Sequence, residues 1–311
     1  MPSSKHRALA LAYLALVCTT ALWGSIGVVS RALMETIPPL VMAAARWGVA
    51  FGVLLPLAWG ERAAIAQALA RDWKRLLFLT LVGGAPQSAL VYTGLAQSTA
   101  INLGLLNSTI PVLIILISWA WHARRPRQLE GIGLALSFAG VLLILAHGEL
   151  GALLRLQFNA GDLIMLGAML VWAVYTLGLQ NRPQSLSLFA FVFVMALLGE
   201  SLTLPLAALQ WVQAGGVHLG ARELLGLLYI GALATLVSTA LFSYAVERVG
   251  AVRAGILIHL MPVFSSLFAT LFLGERLFLY HGAGFVLVAG GAILGCLKPE
   301  PVLSSQAPTN S

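Results

Sequence analysis

The sequence predicts an all-α membrane protein: ten transmembrane helices in two inverted five-helix repeats, with both termini in the cytoplasm. Three observations carry that expectation. Of the 311 residues 59% are hydrophobic and 9% charged, with a mean hydropathy of +0.92, whereas a globular domain carries roughly 25% charge. Ten apolar runs approach the length of about 20 residues that a bilayer crossing needs. Residues 100–146 are echoed, without a gap, 151 positions further on.

The runs fall at 9–29, 39–59, 76–96, 101–121, 130–147, 161–180, 186–207, 224–245, 252–273 and 279–297. The first follows Lys5 and Arg7, as a secretory signal would, but a signal's apolar core is about 7 to 15 residues. This run continues through Leu22, Trp23 and Val29, so it reads as a helix. The Pro- and Ser-rich tail 298–311 reads as a disordered cytoplasmic end. Cys18 and Cys296 both lie in apolar runs, have no metal-ligand spacing, and read as small apolar fillers.

Orientation follows from the basic residues. With the N-terminus inside, 13 of the 18 lysines and arginines fall in inner segments, 4 in outer segments (Arg31, Arg155, Arg222 and Arg276), and Arg46 lies within a run. The positive-inside rule then puts both termini in the cytoplasm. Topology accounts for the net charge of +7, so nucleic-acid binding is not expected.

The echo falls on residues that shape helices: Ala100/Ala251, Gly104/Gly255, Pro111/Pro262, Val112/Val263, Gly131/Gly282, Gly133/Gly284 and Gly140/Gly291. Weaker matches are Trp23/Trp172 at an offset of 149, and Gln87/Ser88 opposite Ser238/Thr239. The expected divisions are residues 1–150, 151–297 and the tail. Five crossings per copy make the second copy enter from the opposite side, and a pseudo-two-fold axis in the membrane plane puts a binding site near the bilayer centre. Internal repeats in an apolar chain point to a transporter.

The stretches LWGSIGVVSR (22–31), PPLVMAAARW (38–47), AINLGLLNSTIPVL (100–113) and AVRAGILIHLMPVF (251–264), with FLGERL (272–277) and GAGFVLVAGGAIL (282–294), resemble the ten-helix EamA-type exporters of the drug/metabolite transporter superfamily. The first copy departs from that pattern, with HARRPR at 122–127 where an acidic residue is expected. The resemblance implies export of small metabolites, often amino acids, across the bacterial inner membrane. It does not specify the substrate.

Candidate site residues come from polar, aromatic and helix-breaking positions inside the runs. Pro86, Pro111 and Pro262 remove amide donors and bend helices. This reads either as a packing kink or as a bend beside a cavity. Gly104 and Gly255 allow close packing. Spacing puts Gly104, Ser108 and Pro111 on one face, and Gly255, His259 and Pro262 on the matching face, with Asn107 adjacent. His259 suits a substrate contact or an interhelix hydrogen bond. Gln87, Ser88 and Tyr92, with Ser238 and Thr239, form a second polar stripe. Arg46 and Glu200 lie at similar depths, about 10 Å below the outer surface, where a pair between them reads either as a functional ion pair or as a structural lock holding the inverted halves. Asp162 reads as a helix cap. Trp23, Trp172, Tyr175 and Tyr244 are placed to flank an apolar side chain or to pack helices. Trp121 and Trp211 read as interfacial belt residues.

No phosphate-binding loop occurs, so gradients must drive transport, with Glu200 and His259 as the candidate proton carriers. One arginine, one histidine, hydroxyls, amides and aromatics suit neutral or aromatic amino acids. Hydrophobic or cationic drugs are the alternative, with a channel-like facilitator the other. No cofactor, metal or catalytic constellation is expected. The expected partners are a small-molecule substrate and membrane lipid, and one chain suffices for a complete pathway.

Overall fold

The computed structural model describes residues 4–98, 103, 106–122, 127–146, 149, 151, 159–217, 219–273 and 277–296. Gly104, residues 274–276 and residues 298–311 lie outside them. Among the described residues there are helices and turns and no strand.

Helix α1 spans Ser4–Leu33. Extended Pro38 and Pro39 then start α2, Pro39–Ala58, because proline's fixed φ suits a first helical position and its missing N–H would be unbonded there anyway. A 3-10 turn, Trp59–Glu61, leads into α3, Arg62–Gly83, which is kinked at Asp72. Gly84 is extended, and α4, Ala85–Leu95, begins with Pro86 in its first turn. Next come α5, Ile110–His122, and α6, Gln128–Leu145, whose Glu130 carboxylate accepts from Arg127 N at 3.1 Å.

Helix α7, Ala160–Gly178, is capped by Asn159, and Asp162 returns a bond to Asn159 N at 2.7 Å. The Ser187 hydroxyl caps α8, Leu188–Gln213. Helix α9, Ala221–Leu228, runs directly into a π-helical segment, Tyr229–Val237, and then into α10, Ser238–Val249. Gly250, at φ +85°, turns the chain into α11, Ala251–Ile258. This φ is open to glycine at little cost. His259 and Leu260 form a turn before α12, Met261–Leu273, and α13, Leu279–Cys296, ends the fold.

Eight helical stretches among the described residues are long and apolar enough to cross a membrane, and Ile110–Trp121 is a shorter apolar helix. The predicted run 39–59 and all but the last residue of 76–96 fall within one stretch, Pro39–Leu95, because the turn at Trp59–Glu61 keeps helical character. At 1.5 Å per residue, 57 residues would extend about 85 Å, far beyond a bilayer core of about 30 Å. The protein is therefore multi-pass.

Helices α6 and α13 correspond residue for residue at the 151 offset, and they pack against each other. A Cβ on Gly133 would lie 2.5 Å from the Gly291 carbonyl oxygen, and one on Gly140 would lie 2.7 Å from that of Gly284. The start of each helix thus meets the end of the other, so α6 and α13 run antiparallel. The contacts are reciprocal, as a two-fold relation requires.

Candidate functional site

Helix breaks recur at matched positions in the two halves, made by different chemistry. Gly84 interrupts α3–α4, and its counterpart at the 151 offset, Thr235, lies in the π segment. There the Thr235 hydroxyl donates to the Ile230 carbonyl, five residues back, at 2.5 Å. Gly231 lets this segment press on α2, since a Cβ there would come within 2.7 Å of the Arg46 carbonyl. The second pair of breaks is at Ser108–Thr109 and His259–Leu260, each just before a proline, Pro111 or Pro262. Backbone irregularity at membrane depth is tolerated where protein or a hydrated cavity satisfies it, and broken helices line the substrate sites of many transporters.

Repeat equivalents touch at these breaks. His259, 1% exposed, meets Ser108, its own counterpart: Nε2 lies 3.0 Å from the Ser108 carbonyl oxygen, and Nδ1 lies 2.6 Å from the Ser137 hydroxyl. A carbonyl only accepts, so Nε2 carries the proton. Both ring nitrogens are engaged by protein, which gives His259 the interhelix bond that was one of its two readings. Gly255 also packs close, where a Cβ would meet Ile114 Cδ1 at 2.7 Å.

Trp23 and Trp172, the other matched pair, meet edge to face with ring centroids 5.3 Å apart. Phe242 lies 5.0 Å from Trp23, and Tyr175 4.9 Å from Trp172. Edge-to-face contact suits the charge distribution of aromatic rings. Trp23 Nε1 donates to the Ser238 hydroxyl at 2.8 Å, so this aromatic group rests on the residue that follows the π segment. Tyr175 is fully buried, with its hydroxyl 3.7 Å from Met195 Sδ.

The polar stripe divides into three parts. Gln87 donates to the Ala168 carbonyl at 3.4 Å, and Ser88 accepts from Trp47 Nε1 at 3.0 Å. The Tyr92 hydroxyl accepts from Arg46 Nη1 at 3.0 Å and lies 3.2 Å from the Ser30 hydroxyl. Thr239 is buried beside Ser238. Asn107 is half-buried next to the first-half break. Tyr244 stands apart near the end of α10, its ring covered by Arg248 at 3.6 Å.

Among the described residues Arg46 and Glu200 form no ion pair, neither as a functional pair nor as a lock between the halves. Both lie on the α2/α8 contact, between the stacked Phe51/Phe193 rings and the bond from Leu40 N to Gln210, but Arg46 turns to Tyr92 on α4. Among the described residues one buried carboxylate oxygen of Glu200 has no hydrogen-bond partner, nor does Arg46 Nε. Asp162 caps α7 and also accepts from Ser98. Among the described residues no group of three or more His, Cys, Asp or Glu gathers as a metal site would require.

Several participants carried no usable sequence signal. Trp47, Ser137 and Phe242 have only aliphatic counterparts at the 151 offset, Leu198, Val288 and Val91, and the contacts of Ser25, Ser30 and Tyr229 are distant in sequence: Tyr229 reaches Ser25 at 2.6 Å. The Trp23–Trp172 match was the one signal leading to this group.

Comparison with known proteins accords with this geometry. A model described as "EamA-like transporter family" matches twice, at residues 10–146 and 159–295. An uncharacterized transporter of Archaeoglobus fulgidus is 26% identical over 92% of this chain and 97% of its own. The uncharacterized transporters YetK and YwfM of Bacillus subtilis are 25% and 27% identical, covering 93% and 92% of this chain and 88% and 93% of theirs. A solved crystal structure shares the fold, with a TM-score of 0.73 at 18% identity, over 94% of this chain and 96% of the other.

Proposed function

The chain belongs to the EamA-like transporter family of the drug/metabolite transporter superfamily, and from that premise we propose that it exports small metabolites, first among them neutral or aromatic amino acids. It works by alternating access, with ten crossings in two inverted repeats, residues 1–150 and 151–297. Both termini lie in the cytoplasm and the protein resides in the bacterial inner membrane. The 13-to-4 distribution of basic residues supports the orientation, and the antiparallel packing of the equivalent helices α6 and α13 supports the inversion.

One observation carries the reading: repeat equivalents meet each other, Ser108 with His259 and Trp23 with Trp172, beside matched helix breaks. Residues related by a two-fold touch their own counterparts only near the axis, where the substrate site of an inverted-repeat carrier lies. Trp23, Trp172 and Tyr175 face the substrate's apolar part. Arg46, Gln87, Ser88, Tyr92, Asn107 and Ser238 supply polar contacts, and Tyr244 lines the path towards the cytoplasm. Ser108 and His259 hold the seam, while Pro111, Gly255 and Pro262 act as hinge and packing points.

Glu200 is the proton-coupling candidate, because its carboxylate lies within an apolar run and among the described residues has no ion-pair partner. A buried ionisable group in a membrane is costly and marks a transport path by default. The aromatic group together with Glu200 also suits hydrophobic cations, the second reading. Uptake and efflux of labelled neutral amino acids in proteoliposomes test the proposal: saturable flux is expected, and its absence for every neutral amino acid overturns the substrate assignment.

A further inference from the structure

Arg46 lies about 10 Å along α2 from its start, and among the described residues no acidic group pairs with it. Its only hydrogen bond there is to a neutral hydroxyl, from Nη1 to Tyr92 at 3.0 Å, with the Tyr92 ring 5.8 Å from the guanidinium carbon. Its Nε–H is buried and has no partner among the described residues. A cationic N–H left unbonded out of water costs considerably more than a bonded one, and a planar guanidinium is shaped to hold a carboxylate through two parallel bonds.

The surroundings supply further hydroxyls. Ser30 lies 3.2 Å from the Tyr92 hydroxyl. Tyr229, at the start of the π segment, lies 2.6 Å from Ser25, and Gly231 of that segment packs on the Arg46 backbone. Tyr92 and Tyr229 pack in one apolar cluster with Ile26, Met42 and Ile230. Trp23 packs against this cluster and also against the main core that holds Tyr175 and Phe242. A ligand with its charged end at Arg46 would therefore bring an attached apolar group towards the rings of Trp23 and Trp172.

We propose that Arg46, with the Tyr92 hydroxyl, is a carboxylate subsite, so that this carrier selects ligands by an anionic end and rejects those offering only an amine. Arg46 binds the carboxylate through its unoccupied donors, and Tyr92 keeps the guanidinium oriented. This deepens the amino-acid reading and rests on it for the aromatic half of the site. It departs from the cationic-drug alternative, which needs no anion acceptor.

Four probes with the same ring separate the possibilities on purified full-length protein, by calorimetric titration and thermal shift: L-phenylalanine, 3-phenylpropionate (carboxylate only), 2-phenylethylamine (amine only) and L-phenylalaninamide (carboxylate neutralised). The two carboxylates are expected to bind, and the two other probes to bind at least about tenfold more weakly, about 1.4 kcal/mol. Arg46→Gln should abolish carboxylate binding, Arg46→Lys should weaken it, and Tyr92→Phe should weaken it less. The wild-type comparison with the amide decides the matter even if Arg46→Gln does not fold.

Carboxylate-only binding that depends on Arg46 sustains the subsite and removes the amino-acid reading. Phenylalanine binding that is unchanged in Arg46→Gln, or matched by the amide, overturns the subsite and leaves the amino-acid reading standing. Preference for 2-phenylethylamine, or no binding by any of the four, overturns both.

Discussion

Gly133 and Gly291 face each other across α6 and α13 so closely that a Cβ on either would lie 2.5 Å from the other's carbonyl oxygen. The same relation recurs between Gly140 and Gly284 with the roles of the helices exchanged. In lipid there is little hydrophobic force between helices, so close backbone approach at small residues carries the association.

Gly133→Ala and Gly291→Ala should therefore each destabilise the protein, by about 1–3 kcal/mol as for other overpacked sites. Gly131 and Gly282, also 151 apart, have open space where a Cβ would go. Alanine there should be neutral or slightly stabilising. Unfolding midpoints in detergent check both pairs, and equal effects at all four positions would contradict the close packing.

His259 contributes bonds to two elements of the other half, the Ser108 carbonyl and the Ser137 hydroxyl. His259→Phe removes both and leaves a buried carbonyl without its donor, at a cost of about 1–3 kcal/mol. Melting temperature should fall while the KM of any transported solute changes little. A large KM shift at unchanged stability would instead make His259 a substrate ligand.

Arg182, 7% exposed, pairs with Glu247 and donates to the carbonyls of Pro183 and Leu186 at 3.2 and 2.8 Å. Glu247→Ala leaves the guanidinium buried without its anion, which typically costs about 3–5 kcal/mol. Chemical denaturation should show that loss, and Glu247→Gln a smaller one.

Glu200→Gln removes the one proton carrier proposed for α8. In proteoliposomes, uphill transport driven by a pH gradient should cease while solute counterflow continues. Proton-driven accumulation that persists in this variant would eliminate Glu200 as the coupling residue.

Trp23→Phe keeps an aromatic ring beside Trp172 and Phe242 but deletes the bond to Ser238, whereas Trp23→Ala deletes both. With aromatic contacts worth about 0.5–1.5 kcal/mol, Trp23→Ala should raise KM several-fold for aromatic amino acids and less for small ones. An equal rise for both would reduce Trp23 to a packing residue.

Hydropathy and the 151-residue echo determine on their own that the chain is a helical membrane protein built on a repeated unit, because lipid demands long apolar helices and duplication leaves glycines and prolines in register. Family resemblance was legible for the same reason: those residues govern how closely backbones approach. Tertiary structure alone decided where the polar groups point. Arg46 and Glu200 share a level but not a bond, since the direction of a side chain depends on helix rotation and on a neighbour such as Tyr92, 46 residues away. The π segment likewise has no local signature. It arises where Gly231 presses on α2, and its counterpart in the first half solves the same problem with an extended glycine at position 84.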